Sequence, residues 1–253
     1  MIDNRHRYIL QWLLCSILIV LFSACSSSSV EEGVTHQQAK LAIYVYAPEQ
    51  AAAKKNAPPT RGDVGEVDAI TNEGTIKSLH IWIYEQATGN YVGYFSTEDV
   101  SALNQGQGTI YQIPVSDDFA RNKPDVNVYV MANVTSANCG VETLDKNTTR
   151  AALLEGAKIT TGHFGLGNLV KSVPSDGLPF SGYLTTQPVV GDAPTLRVGT
   201  LSAVSTVQLT RAVSKLRFVF AKTTGQPTVN ITSIKMNISM IPDVEYLFRH
   251  RHL

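Results

Sequence analysis

The sequence predicts an all-β protein built as a β-sandwich. Apolar residues recur with period two, turn residues fall at short intervals, and only one stretch carries a helical period. Successive side chains of a strand point to opposite faces, so sustained alternation marks a half-buried strand. Leu41, Ile43 and Val45 alternate with Ala42, Tyr44 and Tyr46. Leu79, Ile81 and Ile83 alternate with His80, Trp82 and Tyr84, and Gly89-Asn90 then turns the chain into a second strand from Tyr91 to Phe95. Val126, Val128 and Val130 face one way while Tyr129 and Met131 face the other; Leu216, Phe218 and Phe220, and Ile234, Met236 and Ile238, repeat the pattern later. Asn104–Gly108, Ser172–Gly177, Gly191–Pro194 and Thr223–Pro227 read as turns. One helix is expected between Leu144 and Lys158, where Leu144, Ala151, Leu154 and Ala157 share a face. No repeat of fixed period is present.

Charge excludes one class of partner. The 253 residues carry 21 Lys or Arg and 21 Asp or Glu, so the net charge of zero gives no electrostatic attraction to nucleic acid. A hydrophobic share of 43% supplies ample core, so disorder is not the default reading. The three cysteines are Cys15, Cys25 and Cys139. Cys139 is expected to be buried and inert, and the fold to rely on packing rather than disulfides.

The N-terminus reads as an export signal. Arg5, His6 and Arg7 precede Tyr8–Phe22, which is apolar except for Gln11 and Ser16. As a helix those residues extend about 22 Å, short of a hydrocarbon core of about 30 Å. Leu21-Phe22-Ser23-Ala24-Cys25 then resembles a lipobox, with Phe22 where a leucine is usual. Cleavage after Ala24 and acylation of Cys25 are therefore expected. At about 0.8 kcal/mol per buried CH₂, several acyl chains hold a protein stably on a bilayer. Residues 1–24 are thus the signal peptide, and residues 25–38, opening on Ser26–Ser29, a flexible tether.

Catalytic and metal chemistry find no support. The six histidines are scattered, and His250 and His252 lack a third ligand. Pro179-Phe180-Ser181-Gly182-Tyr183 lacks the first glycine of a nucleophile elbow, and Gly162–Gly167 has the wrong spacing for a dinucleotide loop. Arg61-Gly62-Asp63 is too short to carry weight as an adhesion tripeptide. No enzyme, metal site or cofactor is expected.

Several segments, in order, resemble the fimbrillin family of lipoprotein pilin precursors of Bacteroidales-type (type V) fimbriae. They are Ala39–Ala47 with the Ala/Pro-rich loop ending Pro59-Thr60-Arg61, the strand Thr75–Tyr84, Val128–Asn133, Leu178–Gly182, Leu209–Leu216 and Ile241–Phe248. The resemblance implies transthyretin-like Greek-key β-sandwich domains. The N-terminal sandwich is expected to cover residues 39–205, and residues 206–253 to begin a second, incomplete one. It also implies a fimbrial subunit or anchor at the outer membrane and cell surface, with roles in pilus assembly and cell adhesion. Partners are then other fimbrial subunits by β-strand complementation, the membrane through the lipid, and a host or bacterial surface ligand. Residue by residue, Cys25 matches the lipidated position and Arg61 the processing arginine; Arg61 is the only arginine between Arg7 and Arg121. Cleavage there would remove Leu41, Ile43 and Val45 for replacement by a neighbour's strand. An uncut anchor or tip subunit is the equal alternative for Arg61. A monomeric surface lipoprotein that binds glycan or host protein through sandwich loops is the second functional reading. The tail Arg249–Leu253 lacks alternation and is unlike the family's continuation, which suggests a truncated or frameshifted end.

Overall fold

The computed structural model describes residues 37–47, 74–160, 175–212 and 244–248. Two five-stranded sheets face each other. The first contains β1 (Lys40–Tyr46), β4 (Thr109–Pro114), β8 (Val189–Asp192), β9 (Thr195–Val198) and β10 (Thr206–Gln208). The second runs in the order β11 (Thr210–Arg211), β7 (Phe180–Gln187), β5 (Val126–Ala132), β2 (Leu79–Glu85), β3 (Tyr91–Thr97). A small ladder pairs β6 (Lys158–Thr160) with β12 (Val244–Tyr246). The all-β sandwich expected from alternation is the fold observed.

The core between the sheets is the sum of the alternating residues. Leu41, Ile43, Val45, Ile113, Leu196 and Val207 meet Leu79, Ile81, Val128, Val130 and Phe180 in one continuous buried cluster. The Gly89-Asn90 turn joins β2 to β3 as expected. Gly89 takes φ +74°, and its N–H donates to the Glu85 carbonyl at 3.0 Å.

The alternation in β2 and β5 does not separate core from solvent. Trp82, Tyr84, Tyr129 and Met131 point away from the sandwich core and are as buried as the residues that face it. A second apolar layer covers them, drawn from Val134, Cys139, Val141, Leu153, Ile159, Leu247 and Phe248. Phe248 meets the Tyr129 ring edge-on, with centroids 5.1 Å apart. Polar atoms of the aromatic rings then fasten the cover. Trp82 Nε1 donates to the Asp145 carbonyl at 2.8 Å, Tyr84 Oη to Thr148 at 2.5 Å, and Tyr94 Oη to Leu144 at 2.8 Å. The Tyr94 hydroxyl has one hydrogen, given to Leu144. The 2.8 Å contact between that oxygen and His80 Nδ1 therefore makes Nδ1 the donor. The His80 ring also stacks on Trp82, with centroids 5.6 Å apart.

The helix expected between Leu144 and Lys158 contracts to a short helical stretch ending in a π-type turn at Ala152–Gly156. Side chains compete with helical bonding at its start. Asp145 Oδ1 accepts the Asn147 N–H at 2.7 Å, and Thr148 Oγ1 accepts the Asp145 N–H at 3.1 Å. At the other end Lys158–Thr160 leaves as β6. β10 pairs β1 and β11 pairs β7, and Leu247 and Phe248 are buried.

Asn133 pins three segments together. It sits in the left-handed region at φ 58° and is buried. Its Oδ1 accepts the Lys77 N–H at 2.7 Å, while its Nδ2 donates to the Thr75 and Leu178 carbonyls, each at 2.8 Å. Gly177 makes room: a Cβ there would lie 2.4 Å from Asn133 Nδ2. Asn133→Ala strands these backbone groups and is expected to lower stability by about 2–4 kcal/mol, measured by urea unfolding. A loss below about 0.5 kcal/mol refutes the pinning role.

His80 adds a pH dependence. Burial holds its imidazole below the usual 6.5, so the unfolded chain takes up the proton first. Its contribution is intact above about pH 6.5 and declines as pH falls toward the folded value. The urea midpoint of His80→Gln is expected to fall less between pH 7.5 and 5 than that of the native chain; equal falls exclude His80 as the cause.

Candidate strand-exchange site

Seven residues of β1 supply the site. β-branched Ile43 and Val45 favour the extended chain, and alternation places Leu41, Ile43 and Val45 together on its inner face. All three are 0% exposed, as is Ala47 beyond the strand's end. The sequence-derived trio is thus brought together, side by side in the sandwich core.

Both edges of β1 are occupied. Along one edge β4 runs antiparallel, from Lys40 opposite Pro114 to Val45 opposite Thr109. A strand has only two edges, so the parallel partners share the other. β9 takes Lys40–Ala42 and β10 takes Tyr44–Tyr46. Bonds at the ends extend both ladders: Lys40 N–H donates to Pro194, Val115 N–H to Ala39 and Leu209 N–H to Tyr46, at 2.8, 2.9 and 2.8 Å. β1 is consequently an interior strand whose backbone groups are satisfied from both sides.

The surroundings of the inner face are apolar. Leu41 stands opposite Ile113 on β4 and Leu196 on β9, and Val45 opposite Val207 on β10. Ile43 stands opposite Tyr111, whose hydroxyl is pushed above the usual tyrosine range by burial. On the outer face the Tyr44 ring lies over Gly108, where a Cβ would fall 1.6 Å from the Tyr44 hydroxyl. Only glycine leaves that ring its place.

Sequence reasoning did not identify β9 and β10 as the parallel neighbours. Leu196 and Val198, then Val207 and Leu209, do alternate, but the strands they mark are very short. Cys25, Ala24 and Arg61 lie outside the described residues. Among the described residues no group of three His, Cys, Asp or Glu could hold a metal, and no helix is long and apolar enough to cross a membrane.

The profile of the major fimbrial subunit protein (FimA) family matches residues 39–232, beginning at the residue before β1 and running through the sandwich. The chain belongs to that family. No curated protein matches it. Among solved structures, a C-terminally truncated tip fimbrial protein Mfa3 from Porphyromonas gingivalis is similar at 12% identity and a TM-score of 0.38, covering 69% of this chain and 48% of that one. A putative cell adhesion protein from Parabacteroides distasonis is similar at 15% identity and a TM-score of 0.37, covering 69% and 46%. A fimbrial assembly protein from the same organism stands at 14% and 0.36, covering 69% and 52%. The chain therefore spans about half the length of these structures. The fimbrial subunit family is one of structural proteins rather than enzymes.

If β1 is core, shortening its central side chain is costly. Ile43→Ala is expected to lower the free energy of unfolding by about 2–5 kcal/mol, and Ile43→Val by about 0.5–1.5 kcal/mol, both read from urea titrations. Equal, negligible effects would place β1 outside the core.

Proposed function

We propose that the chain is a surface-exposed fimbrial subunit that enters a pilus by exchanging β1 for a strand of another subunit, and that it contributes to cell adhesion. The observation that carries this reading is the interior position of β1, fully buried on one face and paired along both edges. Its loss uncovers Leu41, Ile43 and Val45's sites in the core, each worth about 1.5–3 kcal/mol of burial. The gross loss of roughly 5–9 kcal/mol rivals the whole stability of a domain, about 5–15 kcal/mol, before unpaired backbone is counted. A sandwich opened in this way unfolds or takes a replacement strand by edge addition.

The replacement must meet defined conditions. To reproduce the ladders it runs in the direction of β1, parallel to β9 and β10 and antiparallel to β4. It needs medium-sized apolar residues at three alternate positions and about 23 Å of extended chain. Cleavage after Arg61, downstream of β1, releases the native occupant. Acylation at Cys25 after removal of the segment ending at Ala24 delivers the precursor to the outer membrane and holds it there until that cut.

N-terminal sequencing and multimer analysis of cells expressing the native chain and Arg61→Ala test the mechanism. The native chain is expected to give a mature N-terminus just after Arg61 and a ladder of multimers. Arg61→Ala is expected to remain a lipidated monomer that begins at Cys25. Normal processing and polymer growth in the variant would sink the proposal.

A further inference from the structure

Gly108 is a glycine without a backbone reason to be one. Its φ lies outside the left-handed region that Gly89 and Gly106 occupy. What the position excludes is a side chain, because a Cβ there would overlap the hydroxyl and ring carbons of Tyr44. Tyr44 stands opposite Ile110 in the β1–β4 ladder, and Gly108 precedes Ile110 by two residues and so shares its outward face. The ring therefore crosses the ladder diagonally, a span that aromatic side chains reach, and covers backbone that a glycine leaves bare. β4 is an edge strand, with β1 as its one sheet partner among the described residues. Ile110, the next outward residue along it, is 59% exposed.

The inner face does not by itself fix the register of a strand in the β1 position. Ala39, Leu41, Ile43, Val45 and Ala47 are all buried in the sandwich core, so a slip by two residues keeps an apolar face inward. The outer face separates the alternatives. A slip in one direction brings Ala42 to the place of Tyr44 and leaves Gly108 uncovered. The opposite slip brings Tyr46 there, but it puts Ala47 in the site of Val45 and opens a gap in the core. Only the observed register fills both faces. We propose that the strand which replaces β1 carries an aromatic side chain at the place of Tyr44, and that its seating over Gly108 sets the register in which that strand docks. This condition rests on the strand-exchange reading and adds to it what the three inner residues do not supply. The partner is a strand of another subunit with a ring between its second and third core residues, on the opposite face.

The test uses the full chain, unfolded in urea and diluted into an excess of labelled peptide of residues 39–47, with capture read by gel filtration. The native peptide and one carrying Tyr44→Phe are expected to be captured alike, because the ring rather than the hydroxyl fills the seat. A peptide carrying Tyr44→Ala is expected to be captured about fivefold less, the upper end of what a cross-strand pair contributes. So is one in which Ala42 and Tyr44 exchange places, which keeps the composition and moves the ring. In full-length Gly108→Ala the preference is expected to reverse in favour of the Tyr44→Ala peptide. The comparison on the native chain decides by itself where Gly108→Ala does not refold. Equal capture of the native and Tyr44→Ala peptides, or an unchanged preference in Gly108→Ala, overturns the aromatic seat and leaves strand exchange standing. Equal capture of the exchanged-place peptide overturns the register role. Capture of no peptide at all sinks strand exchange and the seat with it.

Discussion

The architecture depends on the position of β1. A strand inside a sheet must have its N–H and C=O groups met from both sides, because buried backbone groups left unpaired cost as much as lost hydrogen bonds. Here β4 meets one edge, while β9 and β10, from far along the chain, meet the other. Residues separated by more than 150 positions are thus tied to a segment near the start of the fold. That segment joins β4 to β9 and β10 and so completes the first sheet.

The second sheet shows a different solution to burial. Its central strands carry large side chains on both faces, and the outer face is covered by chain with little regular structure. Such a cover gains less from backbone pairing than a sheet does. It is held instead by Trp82, Tyr84 and Tyr94, whose rings are buried while their polar tips bond backbone carbonyls of the cover. Phe248 joins the same layer from the far end of the chain, and its packing against Tyr129 and Tyr183 draws β12 onto the sandwich.

Much of this was legible in the sequence. Alternation located β1, β2, β3 and β5, turn residues located the β2–β3 hairpin, and the core trio on β1 follows from periodicity alone. Three features were harder to see. Alternation reports which residues share a face but not whether the opposite face is covered, so Trp82, Tyr84 and Tyr129 read as the outer side of half-buried strands. Their size was the available signal, since large aromatics repeated on one face rarely meet only water. The helix expected after Leu144 failed because Asp145, Asn147 and Thr148 bond the backbone locally, an effect that apolar periodicity does not register. The parallel partners of β1 escaped because strands of three or four residues carry little pattern, and long-range pairing is set by the tertiary fold.

The divided edge of β1 has one more consequence. β9 and β10 each grip three of its residues, and Ala42 and Tyr44 mark where one hold ends and the next begins. A strand gripped in two short stretches can peel, letting go of one half while the other stays fastened, rather than detaching in a single cooperative rupture. Each stage breaks only part of that ladder, and in the proposed exchange an incoming chain would gain a toehold on the freed half before the resident has left. Along the other edge the β4 ladder runs unbroken from Lys40 to Val45, so only the parallel side of the strand is divided.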